Sequence, residues 1–171
     1  AGRLGDLFGR KKLLLLGIAL FGAFSLWVGL SDSVGMIVAA RIALGLGGGL
    51  IFALATAILS NACSVSELTK MLGLLTGIGA LGGAIGPVLG GLITETMGWQ
   101  WIFYLNVPVT IIAFLAVKWG TVESYDTEHR GRIDYLGVLL LVVGITSLAL
   151  FIAKVTEWGI LSSTSIWMAA T

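Results

Sequence analysis

The chain has 171 residues, 57% of them hydrophobic and only 11% charged, with a net charge of +1. A soluble domain carries roughly 25% charged residues and needs a polar skin that this sequence cannot build; the mean hydropathy of +1.03 points to a bilayer as the solvent. The balanced charge gives nucleic acid no purchase, the single Cys63 excludes an internal disulfide or cysteine metal site, and the lone His129 excludes a histidine cluster.

Five stretches approach the roughly 20 mostly apolar residues of a spanning helix. They are 13–30, 35–60 (interrupted by Arg41), 71–94, 101–117 and 135–153, and a sixth begins near Ser165. None alternates with a two-residue period, which argues against an outer-membrane barrel. In lipid every backbone group must be satisfied within the segment, so the runs are predicted to be helices of an all-α integral membrane protein. The 25 glycines suit close helix packing in a membrane. No signal-peptide pattern opens the chain. It starts inside a motif and stops just after an apolar run has begun, so it is expected to be an internal piece of a longer protein, inactive by itself.

The loops alternate sides. Arg3, Arg10, Lys11, Lys12, Lys70, Lys118, Arg130 and Arg132 fall in 1–12, 61–70 and 118–134, against Lys154 alone in 31–34, 95–100 and 154–164. The positive-inside rule places the first set in the cytoplasm. Residues 118–134 are polar and expected to form an exposed loop, with room for a short surface helix. Trp99, Trp101, Tyr104 and Trp158 fall near the outer helix ends, where an aromatic belt is expected.

In chain order, the first motif is Gly2-Arg3-Leu4-Gly5-Asp6-Leu7-Phe8-Gly9-Arg10-Lys11-Lys12. Its glycines permit a tight turn between helices, and Asp6 is placed to accept from backbone N–H groups or to pair with a nearby Arg. On charge alone it is a basic cytoplasmic anchor. On spacing it resembles the loop between helices 2 and 3 of the major facilitator superfamily. Gly2, Asp6, Gly9, Arg10 and Lys11 occupy the positions that this resemblance assigns to a conformational lock, and Leu7 stands where Arg is common.

Arg41 lies near the outer end of the second run. A charge at the centre of a span costs about 2.5–3.5 kcal/mol on insertion scales. It either snorkels to the headgroups or faces a cavity, where it would stabilise an ionised carboxylate. Arg41 and Gly45 resemble that superfamily's helix-4 motif associated with proton coupling, with Leu44 where Gln is usual. In the third run, Gly82, Gly86 and Gly90 share one helix face, and Pro87 removes a backbone donor and should bend the helix. With Gly91 they are similar to the helix-5 motif that marks antiporters, drug exporters in particular. Gly77, Gly79 and Gly82 also match a dinucleotide fingerprint, but no strand or βαβ unit surrounds them and Glu95 is too near.

Trp99-Gln100-Trp101-Ile102-Phe103-Tyr104-Leu105-Asn106-Val107-Pro108, Asp134-Tyr135-Leu136-Gly137 and Glu157-Trp158-Gly159 resemble segments of the fourteen-helix drug:proton antiporter branch. That resemblance makes the runs helices 3 to 7. Residues 1–117 are then part of the N-terminal six-helix bundle, 118–134 a cytoplasmic loop, and 135–171 linker helix 7 with the start of helix 8. It implies proton-coupled efflux of lipophilic or cationic compounds across an inner (plasma) membrane. The implied partners are the bilayer, protons and a small substrate, with a periplasmic adaptor in a Gram-negative host, and no cofactor, metal or catalytic residue. Thr56, Thr76 and Asn106 are weaker candidates for lining the substrate path; Ser60, like them, is of a type that usually bonds a main-chain carbonyl. No Asp or Glu lies inside the five runs, so the proton carrier is expected outside them. A transporter of one sugar, siderophore or metabolite and a non-transporting membrane scaffold are the alternatives.

Overall fold

The computed structural model describes residues 2–124 and 135–158. The described residues form six helices: α1 (Gly2–Phe8), α2 (Arg10–Gly29), α3 (Val34–Ala62), α4 (Val65–Met97), α5 (Gln100–Gly120) and α6 (Tyr135–Trp158). Five of them, α2 to α6, are long and apolar enough to cross a membrane. The chain divides into two units, residues 1–129 and 130–171. The second is described only by α6, one apolar helix.

Each expected span is present, and each helix extends past it at one end or both. The 20 residues of α2 rise about 30 Å, one bilayer core, whereas the 33 residues of α4 rise about 50 Å and must tilt or protrude. Polar residues are tolerated at helix ends in the headgroup region, so α2 starts at Arg10 and α5 runs through Lys118 to Gly120. Residues 118–120, expected in a loop, are therefore helical, as are 154–158, expected in an outer connection and turn. The run near Ser165 lies outside the described residues.

Local chemistry sets the ends. Ser33 precedes α3 and its hydroxyl accepts from the Met36 N–H at 3.3 Å. The Glu67 carboxylate accepts from the Ser64 N–H at 3.0 Å and the Ser64 hydroxyl at 2.6 Å, closing the start of α4. Gly98, with φ +96°, turns the chain from α4 into α5.

In unit 1, α2 is central and lies against α3 and α5. Its buried residues Arg10, Leu14, Gly17, Ile18, Gly22, Ser25, Val28 and Gly29 recur at helical spacing on one face. Leu16, Leu26 and Trp27 on the other side are exposed, as a bilayer-facing surface allows. Two apolar clusters hold these helices together: Leu14, Ile18 and Leu54 at one end, and Val28, Ala40 and Phe103 at the other. Between them the α2 and α3 backbones meet at Gly17 and Gly47, where a Cβ on Gly47 would lie 2.8 Å from the Phe21 nitrogen. Small residues at such a seam let dispersion act between main chains.

Candidate functional site

The first candidate is the turn between α1 and α2. Gly9 there has φ +101°, outside the reach of ordinary side chains. Asp6, on α1, lies four residues before Arg10 across this break, and one carboxylate oxygen accepts from Arg10 Nη2 at 2.7 Å and Nε at 2.8 Å. Of the two roles open to Asp6, it takes the ion pair. Arg10 is 7% exposed and also donates to the Ala57 carbonyl of α3 at 3.4 Å. Burial strengthens such a pair and raises the penalty for breaking it. Leu7 is exposed and Gly2 has open space around it.

The N–H groups that Asp6 leaves unclaimed are met by the segment after α5. Glu123 accepts from the Lys11 N–H at 2.9 Å, and the Ser124 carbonyl from the Arg10 N–H at 3.2 Å. The Lys11 ammonium donates to the Lys118 carbonyl at 2.8 Å and to the Thr121 carbonyl. Thr121, Glu123 and Ser124 are thus half-buried on the turn, a correction to the expectation of an exposed loop, while Val122 stays exposed; residues 125–134 lie outside the described residues. Sequence reasoning misses Glu123 because its partner is a main-chain group 112 positions away. Its being the first acid past a predicted span is the available signal.

Arg41 lies two turns into α3, at the end remote from that turn. It is exposed, and its guanidinium carbon stands 5.1 Å from the centroid of the Phe103 ring on α5. The contact is a cation–π interaction, a partner outside both the headgroup and the carboxylate expectations. Among the described residues no carboxylate pairs with it. Gly45, one turn further on, has nothing within 4 Å of where a methyl group would sit. At this end the Tyr104 hydroxyl donates to the Gly29 carbonyl at 2.7 Å, and Trp101 stacks edge-on to Tyr104. Trp99, Trp101 and Tyr104 so share the end expected for the outer belt.

The third candidate is the glycine face of α4. Pro87 sits inside a continuous helix, leaving the Gly83 carbonyl without its usual donor. A Cβ on Gly82, Gly86 or Gly91 would meet nothing within 4 Å among the described residues, and one on Gly90 would touch Ile102 at 3.8 Å. The face is open along the unit. The three candidates occupy separate places and are not brought together.

The weaker candidates are tied up locally or exposed. The Thr56 hydroxyl donates to the Ala53 carbonyl at 2.9 Å and the Phe52 carbonyl at 3.1 Å, and Ser60 donates to the Thr56 carbonyl. Asn106 donates to the fully buried Ser25 hydroxyl at 3.3 Å, inside the α2–α5 contact. Thr76 is exposed on α4. Among the described residues no group of three metal-ligating side chains occurs.

The family model described as Major Facilitator Superfamily matches residues 1–171. An uncharacterized MFS-type transporter of Mycobacterium tuberculosis is 34% identical over 171 residues, all of this chain and 24% of the relative. Multidrug resistance protein fnx1 of Schizosaccharomyces pombe is 36% identical over 152 residues, 86% of this chain and 29% of the relative. Efflux pump dotC of Dothistroma septosporum is 36% identical over 147 residues, 84% of this chain and 25% of the relative. The chain spans about a quarter of the length of the curated relatives it matches.

Proposed function

The chain belongs to the Major Facilitator Superfamily, and from that footing we propose that the protein carrying it exports lipophilic or cationic compounds in exchange for protons, by alternating access. The observation that carries the transport reading is the half-buried Asp6–Arg10 pair in the glycine turn, tied to α3 and to the segment after α5. A charge pair that joins three elements at one membrane face suits a lock that closes one side of a transport cycle. Export rather than uptake is supported by the resemblance of Gly82, Gly86, Pro87, Gly90 and Gly91 to the antiporter motif. Relatives named for multidrug resistance and efflux point the same way. Arg41 cannot readily release a proton, so its part is to favour the ionised form of a carboxylate carrier outside these five helices. The lysine and arginine count supports a cytoplasmic position for the turn, and the resemblance to the drug-exporter branch supports a plasma membrane.

The test is efflux of a fluorescent lipophilic cation by the full-length protein, in cells stripped of their own exporters, with and without a protonophore. Efflux that the protonophore stops, and that Arg41→Ala removes at equal membrane expression, is the expected result. A well-expressed protein with no efflux defeats the drug-export reading and favours a transporter of one narrow substrate.

A further inference from the structure

We propose that Glu123 is a positioning residue of the charged turn: with Lys11 it forms a reciprocal cap that holds the Asp6–Arg10 pair in register against the C-terminal end of α5. The proposal rests on reading that turn as a conformational lock and adds a residue that the turn's own motif does not contain.

The start of α2 and the end of α5 lie side by side, so the positive end of one helix dipole adjoins the negative end of the other. Helix ends leave N–H and C=O groups without partners in their own helix. Here each end is served by the other's side chain. The Glu123 carboxylate takes the Lys11 N–H in the first turn of α2 at 2.9 Å, and the Lys11 ammonium reaches the Lys118 carbonyl at 2.8 Å and that of Thr121. Gly9, the residue before α2, has no side chain to do the work of Glu123. A Cβ on Gly9 would stand 2.9 Å from the Glu123 carboxyl carbon. The glycine between Asp6 and Arg10 therefore serves twice, through its positive φ and through the room it leaves for the carboxylate. The backbone contact from the Arg10 N–H to the Ser124 carbonyl follows directly. Arg10 is so held at its main chain by residue 124 and at its guanidinium by Asp6 and Ala57.

Glu123 and Lys11 carry opposite charges but act on main-chain groups; among the described residues the ion pair of this turn is Asp6–Arg10. This separates the cap from a simple salt bridge. Exchanging the two charges would preserve a simple salt bridge between these positions, but it cannot preserve the cap. A lysine at 123 has no acceptor for the N–H of residue 11, and a glutamate at 11 has no donor for the α5 carbonyls. With the cap intact, the turn and the end of α5 move as one body. With it broken, the turn shifts alone and the lock misaligns.

The experiment uses the full-length protein in nanodiscs and reads hydrogen–deuterium exchange of the amides of residues 10–12. Glu123→Ala should raise their exchange at least tenfold, and Glu123→Gln, which keeps an acceptor and the shape, should fall between it and the parent. The exchanged pair Lys11→Glu with Glu123→Lys should stay as unprotected as Glu123→Ala. Where efflux is measurable, Glu123→Ala and Asp6→Asn should each slow it several-fold, and the double variant no further, because the two act through one turn. Unchanged amide exchange in Glu123→Ala, rescue by the charge exchange, or additive efflux losses would each overturn the proposal. A parent protein that shows the exchange pattern but no efflux would sink the export reading and leave the cap standing.

Discussion

Replacing Gly47 by alanine should destabilise the seam between α2 and α3. A Cβ there would lie 2.8 Å from the Phe21 nitrogen and 2.9 Å from the Gly17 carbonyl oxygen. Both are main-chain atoms and cannot swing aside as a side-chain tip can. Reaching ordinary contact at 3.4 Å needs the helices to part by roughly 0.6 Å, and overpacking of this kind costs about 1–3 kcal/mol. Alanine also recovers about 1 kcal/mol of helix propensity, which leaves a net loss of up to about 2 kcal/mol. Thermal unfolding of the full-length protein in detergent measures this, with Gly35→Ala as the control. Gly35 lies in the first turn of the same helix and has nothing within 4 Å of the new methyl. The control should be neutral or slightly more stable, and Gly47→Ala clearly less. If both variants melted together, the two backbones would not be in contact at Gly17 and Gly47, and the account of the seam would fail.

Gly9→Ala should cost about 1–3 kcal/mol in the same assay, from the φ of +101° and the neighbouring Glu123 carboxylate, whereas Gly2→Ala should cost nothing measurable. Asp6→Asn leaves the buried Arg10 without its carboxylate and should cost about 1.5–3 kcal/mol, the range for hydrogen bonds to charged groups; an unchanged melting temperature would mean that another group holds Arg10. Asn106→Ala removes the side-chain partner of Ser25, which is 0% exposed, and should cost about 1–3 kcal/mol. Ser25→Ala with Asn106→Ala should then cost less than the sum of the two single changes, and strict additivity would show that the pair does not interact.

The parts legible in the sequence are those governed by one-dimensional rules. Spans can be read because lipid imposes a single demand on every residue of a run, and all five appear. The Asp6–Arg10 pair can be read because an acid and a base lie four residues apart in a glycine-rich turn, which keeps them close whatever path the chain takes. The same spacing explains Ser60, whose hydroxyl finds the carbonyl four residues back, as hydroxyls in spans usually do. Hydropathy places helix ends too early because apolarity fades at the interface before the hydrogen bonds do. Arg10 and Lys11 stay helical because protein groups meet their charges, Asp6 for one and the carbonyls of Lys118 and Thr121 for the other.

The contacts that are not legible join residues whose proximity only topology creates. Ser25 and Asn106 look like two isolated polar residues until α2 and α5 come together, and then one is the other's partner. Arg41 invites a carboxylate by its charge, yet it stands over the Phe103 ring, a partner with no charge to match. Glu123 is harder still, because it binds a backbone N–H and every residue except proline has one. No spacing rule selects Lys11 from the rest of the chain. What selects it is that α2 begins with glycine before it, at the point where α5 ends. The turn's motif records the half of the device that lies within eleven residues, and the carboxylate that completes it lies across the bundle.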